Sequence, residues 1–212
     1  MSKKEDLTIE QQSEIRFRDD VKCHKATVIR DDNGVNRHVR YQRPGSWAYG
    51  FDIITWPGHL CITGDCGTYV FQRVYDMFNF FTSESKQYPI NTGYWSEKLL
   101  SADIKGGVKQ FSEKAFSDAV HYNFVKFAKD DCGRHTPEQI RELWADIKEI
   151  MRSEGEHESV RSVMEYERHG FSFEEFWEHN LTEYTFRFMW NLNAIVWGIK
   201  KYNKLEMEGQ NQ

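Results

Sequence analysis

At 212 residues, with 39% hydrophobic content and a formal net charge of −5, the chain is long enough for one well-buried core and short for two. Its four cysteines, Cys23, Cys61, Cys66 and Cys132, form no tandem CxxC pattern, and its most apolar stretch, residues 184–199, contains Arg187, Asn191 and Asn193 and falls short of the ~20 residues needed to span a bilayer. A zinc ribbon and a membrane anchor are thereby set aside. Residues 2–6 are too charged for a secretory leader, so a reduced, cytoplasmic protein is expected.

In chain order, residues 1–13 are polar and are expected to fray or to form one exposed helical turn, the first part of an N-terminal arm over 1–20. A strand is predicted over 21–29, a turn at Asp31-Asp32-Asn33-Gly34 and a return strand over 35–42, because Asn-Gly between alternating runs is the strongest short hairpin signal. On the return strand Arg37, Val39 and Tyr41 share one face and His38, Arg40 and Gln42 the other. The runs FDIIT (51–55) and HLCIT (59–63), with Trp56-Pro57-Gly58 between them, form a second hairpin, since Pro presets one turn dihedral and Gly tolerates positive φ. After the break at Gly64-Asp65-Cys66-Gly67, residues 68–71 read as a further strand. Leu60 and Ile62 then face one way and His59, Cys61 and Thr63 the other.

From Val74 the period changes to helical, and Val74, Tyr75, Met77, Phe78 and Phe81 give one apolar face. A polar linker (83–87) and a short helix (94–100) follow. Ser112 caps a helix to about Phe127, and Thr136-Pro137-Glu138-Gln139 starts another that runs to about Arg152. A helix over 156–168 is expected to stop at Gly170, and Ser172 to cap 173–179. The last helix, 183–203, is apolar nearly all round and belongs in the middle of the fold, leaving 205–212 as a polar tail. The expected architecture is α+β: one domain over 21–204, with an N-terminal antiparallel meander of about five strands packed by five to seven helices, the last one buried.

Charge is unevenly shared. Residues 14–43 carry eight Arg and Lys against five acids, while 130–183 carry fifteen acids against six bases, an asymmetry that favours charged partners at the sheet end.

The segments FDIITWPGHLCITGDCGTYVF, INTGYWSEKL and FWEHNLTEYTFRFMWNLNAIVWGIKKY, within residues 28–202, resemble a widespread family of small uncharacterised proteins of tailed bacteriophages and prophages. The resemblance implies an accessory protein made in the bacterial cytoplasm. It supplies no catalytic residues.

Four constellations carry candidate chemistry. His59, Cys61, Asp65 and Cys66 are four potential ligands within eight residues, but their H-x-C-x3-D-C spacing matches no standard zinc site, so strand packing and a turn role are favoured and no metal or cofactor is expected. A Cys61 nucleophile with His59 as base would require two side chains ~6.5–7 Å apart at Cα to meet. Arg187 and Asn191 form an i, i+4 polar pair on an otherwise aromatic helix, read as a buried pair closed by Glu183 or Glu175. Arg37, Arg40 and Arg43 lead into a segment with Trp47 and Trp56, and an edge combining Arg with Trp has the side chains that dominate interface hot spots.

No P-loop, GxGxxG or HExxH is present, so an enzyme acting on nucleotides or nucleic acid is the second reading. The first is a binding protein that counters host defence or takes over a host process by binding a bacterial protein or a small signalling molecule, with neither membrane nor nucleic acid as its favoured partner.

Overall fold

The computed structural model describes residues 7–32, 34–82, 90–152 and 156–209. Helix α1 (Ile9–Asp20) leads into β1 (Lys25–Asp31), β2 (Arg37–Arg43), β3 (Ser46–Trp56), β4 (His59–Gly64) and β5 (Gly67–Gln72), followed by α2 (Met77–Thr82), α3 (Thr92–Ser96) and β6 (Leu99–Ser101). The chain continues through β7 (Lys109–Phe111), α4 (Glu113–Asp130), α5 (Pro137–Ile150), α6 (Glu156–Met164), β8 (Glu167–Arg168), β9 (Phe171–Ser172), a 3-10 turn (Phe176–Glu178), β10 (Thr182–Tyr184) and α7 (Phe186–Gly209). Strands β1 to β6 form one antiparallel sheet in sequence order, which makes the protein α+β. Among the described residues no helix is long and apolar enough to cross a membrane.

The single domain expected over 21–204 takes the form of two compact units, residues 1–108 with 184–212 and residues 109–183. Each has its own apolar cluster, which bulk composition does not reveal. The arm expected over 1–20 contains a capped helix: Thr8 Oγ1 accepts from Gln11 N, and the Gln11 side chain accepts from Thr8 N. Only Ser13 and Phe17 of α1 are buried, so the helix has almost no apolar periodicity to read. The stretch expected as a helix over 94–100 divides into α3 and the sixth strand, and α7 runs on into the expected tail. The expected linker at 83–87 lies outside the described residues, as does Asn33 of the first turn.

In the first unit, alternation puts Val39, Tyr41, Phe51, Ile53, Leu60, Ile62, Tyr69 and Phe71 on one sheet face, all at 0–1% exposure. Helix α7 packs there through Phe188, Leu192, Ile195 and Ile199, and each such side chain contributes about 1.5–3 kcal/mol on burial. Trp190 lies edge-on to Phe17 and Phe51 at 5.1 and 5.6 Å between centroids. Close approach of helix and sheet depends on Gly198: a Cβ there would stand 2.7 Å from Ile53 Cδ1, and the Gly198 carbonyl accepts from Tyr41 Oη at 2.8 Å.

The second unit is built on α4, α5 and a short hairpin. Ser112 caps α4 and Thr136 forms a capping box with Gln139 on α5, as their sequences predict. Phe116, Val120, Phe124, Leu143, Ile147, Phe171, Phe173 and Phe176 fill its core. The helix expected over 156–168 ends at Met164, and Gly170 serves a different purpose. His169 and Gly170, both at positive φ (51° and 74°), make the two-residue turn that joins β8 to β9. Ser172 belongs to β9, and the helix expected over 173–179 is reduced to the 3-10 turn.

Candidate functional site

The sheet face turned away from α7 carries a polar row. The strand registers align Thr27 with Arg40, Arg40 with Asp52, Asp52 with Thr63, and Thr63 with Thr68, so one line of polar side chains crosses five strands. At its centre Asp52, only 6% exposed, accepts from Arg40 Nε at 2.9 Å and Arg40 Nη2 at 2.8 Å, and its Oδ2 lies 2.8 Å from His38 Nε2. Burial alone would push the Asp52 carboxyl up, but the hydrogen bonds from Arg40 and His38 outweigh it and hold the group below its usual value. Thr63 and Thr68 share a hydroxyl hydrogen bond of 2.7 Å.

Arg40 carries a ring on its other side. Its guanidinium lies 5.2 Å from the Trp47 ring centroid, and Trp47 is 43% exposed. Strand β3 must bend to bring that ring over. Tyr49 stands at φ 56°, a left-handed conformation that a non-glycine residue holds only under restraint. The restraint is double: His24 Nε2 donates to the Tyr49 carbonyl at 3.1 Å, and Tyr49 N donates to Asp65 Oδ2 at 2.9 Å. Gly50 makes room for the bend, because a Cβ there would meet the Trp47 ring and carbonyl at 2.8 Å. Burial lowers the pKa of His24, consistent with a neutral ring that spends its one N–H on Tyr49.

The residues picked out in the sequence are distributed as follows. Of Arg37, Arg40, Arg43, Trp47 and Trp56, only Arg40 and Trp47 come together. Arg37 alternates to the α7 side, where Asp76 accepts from both of its Nη atoms at 3.0 and 2.9 Å and the guanidinium lies 4.5 Å from the Phe78 centroid, so it is withdrawn from any partner surface. Arg43 is exposed beside the β2–β3 turn. Trp47 and Trp56 stand at opposite ends of an eleven-residue strand, roughly 25–30 Å apart, so the turn at Trp56-Pro57-Gly58 and the basic end of the sheet are not presented together. Trp56 instead stacks on His59 at 4.9 Å, and His59 Nδ1 lies 2.8 Å from the Pro57 carbonyl.

The candidate ligand cluster is dispersed for the same reason of alternation. Cys61 shares the outer face with His59, Cys66 is buried on the core side with its carbonyl accepting from Asn191, and Asp65 is engaged with Tyr49. Among the described residues no group of three or more His, Cys, Asp or Glu side chains could hold a metal ion. Burial raises the Cys61 thiol and pushes the Cys66 thiol up to about 12, which opposes formation of a nucleophilic thiolate at either. His38 and Cys61 both register with Ile54 from opposite sides, about 9–10 Å apart, beyond a nucleophile–base hydrogen bond.

Arg187 and Asn191 also differ from expectation. Asn191 is 1% exposed and its Nδ2 donates to the carbonyls of Cys66 and Arg187 at 2.9 and 2.8 Å, whereas Arg187 is exposed and needs no buried counter-ion. Glu183, expected as its partner, accepts from Ser112 Oγ and Gln110 Nε2.

Asp52 and His38 were missed as site residues. The signal lay in the one charged residue of the apolar run FDIIT, which two hairpins in register place opposite Arg40. The arrangement has the properties of a recognition surface: a guanidinium with two N–H groups spent on Asp52, a ring flanking it, and hydroxyls in line beside it. The sequence matches no protein-family model and no curated protein, and the fold matches no solved structure.

Proposed function

We propose that the protein is a non-catalytic binding protein, a phage-encoded accessory factor that engages an acidic surface of a bacterial host protein through Arg40, Trp47 and the polar row beside them. The observation that carries this reading is the pre-organised Arg40–Trp47 pair. Asp52 holds the guanidinium through Nε and Nη2 while the Arg40 side chain stays 39% exposed, so little side-chain entropy is lost when a carboxylate meets it. Arg and Trp are also the residue types that contribute most when buried at an interface, and Arg43 and Lys25, both exposed near this end of the sheet, add charge that steers an acidic partner. An enzymatic reading on nucleotides or nucleic acid lacks comparable support, because Cys61 on this face has a raised pKa and stands away from His38.

Affinity capture from host lysate, with the parent and a Trp47→Ala, Arg40→Gln double variant compared at equal loading, tests the proposal. One host protein retained stoichiometrically by the parent and lost by a variant with unchanged circular dichroism is the expected outcome. Equal capture by the two proteins, or turnover of a nucleotide by the parent, would overturn it.

A further inference from the structure

A second site lies in the first unit, where α1, α7 and the segment entering α3 enclose a cavity of about 360 Å³. That volume falls within the ~300–1,000 Å³ range of small-molecule sites. Its floor is apolar, with Met189 at 1% exposure and Ile90 beside it. Around the floor stand two carboxylates and Asn193, with Thr8, Gln11 and Thr92 beside them. Glu10 and Glu14, one turn apart on α1, both line the cavity; Glu14 Oε1 accepts from Arg18, and Glu10 has no ion pair among the described residues.

Asn193 supplies the observation that points to a ligand. It is 8% exposed and its Nδ2 donates back to the Met189 carbonyl at 2.9 Å, which leaves Oδ1 without a hydrogen-bond partner among the described residues. That oxygen keeps some accessible surface, and the residue lines the cavity. A nearly buried carboxamide oxygen with nothing to accept from is costly unless a donor reaches it from the cavity.

Two carboxylates and the free Asn193 oxygen, with no lysine or arginine among the described lining residues, and an apolar floor together select a ligand with a donor-rich positive head and an apolar body. We propose that this cavity binds a small organic cation, an alkyl- or arylammonium whose hydrocarbon lies on Met189 and Ile90 while its N–H groups meet Glu10, Glu14 and Asn193 Oδ1. The site is independent of the Arg40 surface, and neither proposal depends on the other.

The full-length protein, labelled at methionine methyls and followed by NMR, is titrated with hexylammonium, with hexanol and with hexanoate. Saturable shifts at Met189 with hexylammonium alone are expected. Glu10 is exposed and the Glu14 side chain is 46% exposed, so Glu10→Gln with Glu14→Gln leaves the fold intact and should weaken binding by about fivefold or more. Absence of a saturable shift up to about 10 mM hexylammonium, hexanol binding as well as the amine, or a double variant that binds like the parent would each overturn the proposal.

Discussion

The two units hold their charges differently. In the first, the buried Asp52 pairs with Arg40 on the neighbouring strand, and the half-buried Asp76 pairs with Arg37 thirty-nine positions away. In the second, the pairs are local: Arg168 of the β8 hairpin reaches Asp146 and Glu142 on α5 near solvent, and Asp131, itself buried, pairs with His135 four positions on to close the α4–α5 loop. Ion pairs at solvent contribute little, whereas a carboxylate enclosed by two donors fixes their orientation. In the sheet unit the enclosed carboxylates thus join separate elements, whereas in the helical unit the enclosed carboxylate closes one loop and the rest depends on an aromatic core and turns.

The largest effect expected from this contrast comes from Trp190→Ala. Trp190 is fully buried against Phe17 and Phe51, and its truncation should cost about 3–5 kcal/mol, read as a lower urea midpoint accompanied by loss of amide protection in β3 and β4. Retained protection in those strands would show that the sheet does not depend on α7. Asp52→Asn should cost less, ~1–2 kcal/mol, because Arg40 is 39% exposed and water compensates part of the loss. Its distinguishing mark is broadened Trp47 indole and Arg40 Nε resonances as the pair loosens, and unchanged resonances would separate the ring from the polar row.

In the second unit the comparable change is small. Gly170→Ala, at φ 74° in the β8–β9 turn, should destabilise by ~1 kcal/mol, and Gly170→Asn by less, since Asn tolerates the left-handed region. Equal melting temperatures for both variants and the parent would mean that the hairpin contributes nothing to the unit.

The sequence made the sheet legible because alternating runs mark its strands, and Pro57-Gly58 fixes the β3–β4 hairpin, whose register determines the face of every side chain on it. That logic places Leu60 and Ile62 inward, while the separate turn between Arg43 and Ser46 sets Asp52 opposite Arg40. Three features lay beyond it. Helix α1 buries two residues and shows no stripe; the segment after residue 164 contains the same Gly170 that ends helices but uses it in a hairpin; and the bend at Tyr49 is specified by His24 and Asp65, residues 25 and 16 positions away. Each depends on tertiary partners that no local window contains. The separation of Trp47 from Trp56, by contrast, follows from strand length alone once β3 is seen to begin at Ser46.

The smallest expected effect is a pH dependence confined to the second unit. His135 has both ring nitrogens on oxygen, Nδ1 on the Asp131 carboxylate and Nε2 on the His169 carbonyl at 2.6 Å, an arrangement that requires both to carry protons. The Asp131 hydrogen bond, with the His169 carbonyl second, raises the His135 pKa above 6.5, while Arg134 acts against it. A group whose folded pKa is raised contributes stability that is complete below its unfolded value and is lost as pH rises through the folded value. The loop joining α4 to α5 should therefore become less protected against hydrogen exchange as pH climbs from about 6.5, after correction for the intrinsic rate. Asp131 has the opposite sign: hydrogen bonds from His135 hold its carboxyl below 3.8, so its contribution is lost only as pH falls beneath that value. His135→Gln keeps one hydrogen bond but cannot titrate, and it should flatten the upper dependence while leaving the sheet unit's protection unchanged; a variant that retains the parent's pH profile would assign the effect to another group.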